Sequence, residues 1–207
     1  MKEEIFNGYE DFNKNKKDFF VEEPRAFCYD ISRELIEESK RKNSKNWHVQ
    51  EETVNAILLL LYCWNFASRI TKSLTKKQIR TLLKQSTMEL EYLKNKTIMN
   101  FSEDDEKHIK KLYKRFKKEL GQTGAAKALS LLNWELFVMW DTEIRKVLRR
   151  KWIKGIRNGE TSENYLKFLY GVRRIIKEEK LEKGFKATIP IAKKIDEYHY
   201  LKIKRNK

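Results

Sequence analysis

Residues Leu120–Arg150, reading LGQTGAAKALSLLNWELFVMWDTEIRKVLRR, hold the densest chemistry in the chain. Gly121 and Gly124 bracket Gln122 and Thr123 ahead of a helix of small residues. An apolar run then ends on a lone carboxylate, Asp141, and a helix carrying Arg145, Lys146, Arg149 and Arg150 follows. Glycine tolerates positive φ and lets a backbone approach a ligand closely. Amides at a helix start, together with the helix dipole, favour an anion. Aspartate is also among the best N-caps, and Asp141 stands where the basic helix begins. The order points to backbone amides, one carboxylate and a basic face held close together, suited to gripping nucleic acid and doing carboxylate chemistry on it.

The charge distribution agrees. The chain has 46 Lys and Arg against 30 Asp and Glu, a net charge of +16. From Lys107 to Lys154 there are 14 Lys and Arg against Glu119, Glu135, Asp141 and Glu143, a local excess of +10. Such a concentration is the footprint of a surface that meets a polyanion. The competing reading, a lysine-rich solvated face, draws on the interspersed glutamates elsewhere.

Stepping outward, the elements that must position these groups are helical. With 40% hydrophobic and 12% aromatic residues, 207 residues suffice for a packed core. Seven Gly and two Pro are too few for the turns of an all-β fold. An all-α fold is expected, compact and two-lobed (about 20–100 and 101–207) within a single domain, after a polar segment over residues 1–20. Pro24 suits a first helical turn, followed at helical spacing by Phe27, Ile31, Leu35 and Ile36. Residues 40–46 form a polar linker, and Gln50–Ile70 is expected to be a central core helix. Thr75-Lys-Lys-Gln78 and Ser102-Glu-Asp-Asp105 mark two helix starts. Gly121 is expected to end the second of these, with a short helix over Ala125–Leu132 broken at Asn133. A helix over Thr142–Ile153 follows Asp141. Ser162 starts a helix with the stripe Tyr165, Phe168, Leu169, Val172, Ile175 and Ile176, and the last helix starts near Pro190.

Cys28 and Cys63 lie far apart in apolar contexts and are expected to be buried reduced thiols in an intracellular, cytoplasmic protein. His48, His108 and His199 are scattered, so no metal site and no cofactor are expected. The apolar run Ala56–Ala67 is too short to span a bilayer, and the N-terminus lacks the apolar core of a signal peptide, so no membrane partner is expected.

The 120–150 segment resembles the helix-hairpin-helix DNA glycosylase superfamily, which includes 8-oxoguanine glycosylase and endonuclease III-like enzymes. Asp141-Thr142, Ile144, Arg145, Val147 and Arg150 match the family's Val-Asp-Thr-His-Val motif and the basic residues after it; Gly121, Gly124 and Ala128 match its hairpin loosely. The departures are specific. The hairpin proline is missing, one extra residue separates the glycines, and the family's His is Glu143. The stretch from hairpin to Asp141 is about one helical turn shorter. The lysine nucleophile of bifunctional members falls at Ala126, with Lys127 one residue later.

The resemblance implies a central helix-hairpin-helix element and a DNA glycosylase, with lyase activity if Lys127 acts as the amine nucleophile. Asp141 would be the catalytic carboxylate, stabilising the positive charge that develops on the sugar. Gly121, Gln122, Thr123, Gly124, Arg145, Lys146, Arg149 and Arg150 would bind the DNA backbone. Such an enzyme takes its base out of the stack and holds it between aromatic faces. Trp140, Trp134, Phe137 and Trp64, with Tyr62, are the candidates, although aromatics at helical spacing are more often core. The implied partner is double-stranded DNA carrying a modified base, met by a monomer. Two other readings stand beside it: a non-catalytic DNA- or RNA-binding helical module, and a helical adaptor for an acidic protein.

Overall fold

A computed structural model of the chain describes Glu23 and residues 25–64, 73–142, 144, 161–181 and 189–205. Among these residues there are six helices and no strand: α1 (Ala26–Lys42), α2 (Glu51–Trp64), α3 (Lys76–Leu93), α4 (Glu103–Leu132), α5 (Ser162–Glu178) and α6 (Ile191–Arg205). A 3-10 turn, Trp47–Val49, joins α1 to α2. The fold is all-α, as the periodicity requires.

The helix starts follow local chemistry. At α3, Gln78 N donates to the Thr75 hydroxyl and Thr75 N donates back to Gln78 Oε1 at 2.9 Å, a capping box. At α4, Ser102 N donates to Asp105 Oδ2 at 2.7 Å. Thr161 caps α5 through the Asn164 amide at 3.2 Å. Each cap satisfies an amide that has no partner inside its own helix, worth about 1 kcal/mol.

α1 lies along α2, α3 along α4, and α5 against α4. The α5 stripe is buried as its spacing demands: Tyr165, Phe168, Leu169, Val172, Ile175 and Ile176 all face the interior. Buried side chains from Tyr29 to Tyr198 form one continuous core that draws on both segments expected as lobes.

α4 breaks at Gly121 and ends before Asn133, as expected, but the turn between its two halves is shorter than expected. Only Gly121 leaves helical geometry, at φ 70° and ψ 177°, a conformation that only glycine adopts at little cost. Gln122, Thr123 and Gly124 are already helical, and Gly124 is buried. The expected four-residue turn is therefore a one-residue break that redirects α4. Its second half is buried on every side from Gly124 to Leu132.

The cysteine expectation is also overturned. Cys28 and Cys63 form a disulfide that joins α1 to the last turn of α2, with their Cα atoms 6.6 Å apart. They are distant in sequence but adjacent in space, because α1 and α2 pack side by side. The reduced-thiol argument for a reducing compartment no longer applies. No described helix is long and apolar enough to cross a membrane.

Candidate active site

The second half of α4 carries one charged side chain, Lys127, through the interior. Lys127 is 7% exposed, whereas Ala126 beside it is wholly enclosed in the core. The residue that resemblance marks as off-register is thus the one that reaches a cleft. Nζ donates to the Trp64 carbonyl at 2.5 Å and lies 5.7 Å from the Trp64 ring centroid. Burial depresses the Lys127 ammonium to about 8; the carboxylates of Asp141 and Asp196 pull it back upward, and Arg25 adds to the depression.

Asp141 comes to the same cleft by a non-helical segment that follows a turn after α4. Asn133 ends the helix and its Nδ2 donates to the carbonyls of Leu93, at 2.8 Å, and Lys96, at 3.1 Å. Ile98 N donates to Glu135 O, and the Tyr165 hydroxyl donates to Val138 O at 2.9 Å. These bonds fix a chain of buried residues, Leu136–Trp140, that delivers Asp141 half-buried at its end. Asp141 Oδ1 accepts the Ile144 amide at 2.8 Å, so the aspartate is an N-cap as its position suggested.

The cleft is lined by Tyr29, Trp64, Lys127, Met139, Asp141, Ile144, Lys193, Asp196 and Tyr200. Its volume among the described residues is about 20 Å³, room for a single water. α6 supplies a second charged pair. Lys193 Nζ lies 3.2 Å from Asp196 Oδ2 and 3.7 Å from Glu197 Oε1, and 4.0 Å from the centroid of the Tyr29 ring. Burial opposes the Lys193 charge, but the two carboxylates outweigh it and raise its pKa. Burial pushes Asp196 up to about 6 against the pull of Lys193. The Tyr29 hydroxyl, held up to about 12 by burial, is enclosed and makes no hydrogen bond among the described residues.

The rim is tied shut. Tyr200 donates its hydroxyl to Glu23 Oε2, and its ring meets the Trp64 ring edge-on at 5.5 Å. Arg25 Nε pairs with Glu23 Oε1 at 2.7 Å, and Trp64 Nε1 donates to Arg25 O at 3.0 Å. The bonds from Arg25 hold the Glu23 carboxyl down to about 2.

The aromatic candidates separate. Trp64 lines the cleft. Trp140 does not: it is buried in the core, stacked on Phe168 at 5.3 Å and 5°. Phe137 is likewise core, near Tyr165. Trp134 lies under the Arg33 guanidinium at 4.0 Å and lines another groove, and Tyr62 faces solvent. Each was weighed against a place in the core, and for Trp140 and Phe137 the core is where the side chain lies.

Among the proposed backbone contacts, Gly121, Gln122 and Thr123 are half-buried at the α4 break, and Gly124 is buried. Arg145, Lys146, Arg149 and Arg150 lie outside the described residues. Part of the basic excess is internally paired: Glu89, buried, takes Lys111 at 2.6 Å and Arg115 at 2.9 Å. Lys107, Lys114 and Lys118 are exposed on one face of α4.

Sequence reasoning missed Tyr29, Lys193, Asp196 and Tyr200. A signal existed: Lys193, Asp196 and Tyr200 sit at i, i+3 and i+7, one face of α6. No group of three or more His, Cys, Asp or Glu capable of holding a metal gathers among the described residues. No protein-family model matches the chain, nor does any curated protein or solved structure.

Proposed function

We propose that the protein is a DNA glycosylase with abasic-site lyase activity, excising a modified base from duplex DNA. The observation that carries the reading is that Lys127 and Asp141 line one cleft, with Lys127 buried and its amine made easier to deprotonate. A lysine nucleophile needs its neutral form near working pH, and desolvation supplies that. The Asp141 carboxylate stabilises positive charge developing at the sugar. The exposed lysines of α4 and the basic window supply sequence-independent attraction to phosphates. The resemblance of residues 120–150 to the helix-hairpin-helix glycosylases supports the role of Asp141, while the family's lysine position falls on Ala126, one residue before Lys127.

In this reading the flipped nucleotide parts the rim, because the cleft holds only about 20 Å³. Tyr200 and Trp64 are the groups that separate, and the Trp64 ring then lies against the base.

The test is a panel of duplexes carrying 8-oxoguanine, uracil, alkylated bases or an abasic site, each incubated with and without borohydride. At least one is cleaved, and reduction traps a covalent adduct that Lys127→Ala abolishes. A second reading, a non-catalytic nucleic-acid-binding module, is favoured by the hydrogen bond that makes Asp141 a cap. It prevails if duplexes bind but none is processed and no adduct forms.

A further inference from the structure

We infer that Asp196 is the proton carrier of this cleft, taking the proton that Lys127 must lose and passing it to the departing base. The inference rests on the glycosylase reading and adds a residue which that reading does not require.

Lys127 has no proton acceptor in its hydrogen bond: Nζ donates to the Trp64 carbonyl, which binds a proton but does not take one. Two carboxylates line the cleft. Asp141 is engaged through Oδ1, which receives the Ile144 amide at 2.8 Å. Asp196 has a different setting. It is 5% exposed and bonded through Oδ2 to Lys193.

The rest of the α6 pair makes protonation of Asp196 tolerable. Lys193 also lies 3.7 Å from Glu197 Oε1. When Asp196 takes a proton, Lys193 keeps a carboxylate partner and no buried charge is stranded. Asp196 faces Lys193 and Glu197 on its own helix, Asp141 and Lys127 across the cleft, and the phenols of Tyr29 and Tyr165. Burial, the largest influence, holds its carboxyl up to about 6, so acid and anion are both accessible near neutrality.

The step balances. The Lys127 ammonium gives one proton to the Asp196 carboxylate. The freed lone pair forms the N–C1′ bond as the C1′–base bond breaks, and that bond's electron pair leaves with the base. The proton on Asp196 then passes to the base. A neutral base departs, Asp196 is again a carboxylate, and the new amine joined to C1′ carries the positive charge.

The experiment compares wild type with Asp196→Asn and Asp196→Glu, with circular dichroism confirming that each is folded. Single-turnover base release should fall about a hundredfold in Asp196→Asn and recover in part in Asp196→Glu. Borohydride trapping on a preformed abasic site, where Lys127 still loses its proton but no base leaves, should fall less, by about tenfold. Equal loss in both assays, or in neither, overturns the leaving-group role. A third measurement needs no DNA: labelling of Lys127 by pyridoxal phosphate and borohydride across pH. Asp196→Asn should lower the labelling midpoint, because an anion that holds the Lys127 proton is gone. An unchanged midpoint in folded protein overturns the exchange with Lys127. A shifted midpoint in a wild type that processes no duplex upholds the exchange while ending the glycosylase reading, so the two fail separately.

Discussion

Lys127 on α4 is bonded through Nζ to the carbonyl of Trp64, 63 residues earlier and at the last position of α2. The bond holds a charged amine in an interior whose other residues on that helix half are apolar or small. An amine in that position carries a stability cost and a reactivity gain from the same desolvation.

That cost has a pH signature. The folded state holds Lys127 at about 8 against 10.5 for the free side chain, so between those values the unfolded chain binds more protons. Stability therefore rises with pH across that window, and the penalty is present in full below pH 8. The ceiling is about 3 kcal/mol, from about 1.4 kcal/mol per unit. Tyr29 and Tyr200, each held up to about 12, act in the opposite direction only above pH 10. Urea unfolding should show the wild type gaining stability from pH 7 to 9.5. Lys127→Met should be flatter and more stable at pH 7 by about 1–3 kcal/mol. A less stable Lys127→Met would mean that the Trp64 bond outweighs the buried charge.

Asp141 combines a cap with the proposed chemistry, and substitution can separate them. Asn caps a helix about as well as Asp, whereas Ala forfeits about 1 kcal/mol. Asp141→Asn should keep its melting temperature and its duplex affinity yet lose base release. Asp141→Ala should lose both stability and release. Retained release in Asp141→Asn would leave the residue as a cap alone.

Acid should destabilise the protein through His199. This imidazole is fully enclosed, and burial holds it down to about 3 against 6.5. The unfolded chain binds more protons between those values, so stability is lost as pH falls below 6.5. From pH 6.5 to 5 the loss is about 2 kcal/mol. Glu23, held down to about 2, adds loss only below 4.5, while Asp196, held up to about 6, works the other way. The difference between wild type and His199→Phe cancels both. That difference should shift by about 2 kcal/mol in favour of the variant over this range in denaturant titrations. A difference independent of pH would place a charged His199 in the folded state.

Much of the fold was legible because helical signals are local. The Thr75 and Ser102 caps, the α5 stripe and the start of α6 follow from spacing alone. The aspartate was legible as an N-cap for the same reason. The cleft was harder to read. Lys127 was one position out of register, and its exit from the core depends on the Gly121 break, whose ψ no sequence rule supplies. The α6 pair depends on how α1, α4 and α6 assemble. Trp140 stands beside Asp141 in sequence, yet its ring packs into the core against Phe168, which adjacency to the carboxylate does not reveal. Charge in the basic window overstated the free surface, since Glu89 takes up two of its cations from a separate helix.

The disulfide bears directly on the cleft. Cys28 precedes Tyr29 and Cys63 precedes Trp64, so the bond ties together two cleft-lining residues from α1 and α2. It closes a loop of 35 residues. Chain entropy alone assigns about 4 kcal/mol to a loop of that size. Native protein purified without reductant should contain no thiol that reacts with Ellman's reagent, and two after reduction in denaturant. Cys63→Ser should lower stability by about 2–4 kcal/mol. With α2 released at its end, the Trp64 carbonyl should restrain Lys127 less, and pyridoxal phosphate should label that lysine faster in the variant than in the oxidised protein. Two reactive thiols in the folded oxidised preparation would show that α1 and α2 are held by packing alone, and labelling of Lys127 would then be the same in both proteins.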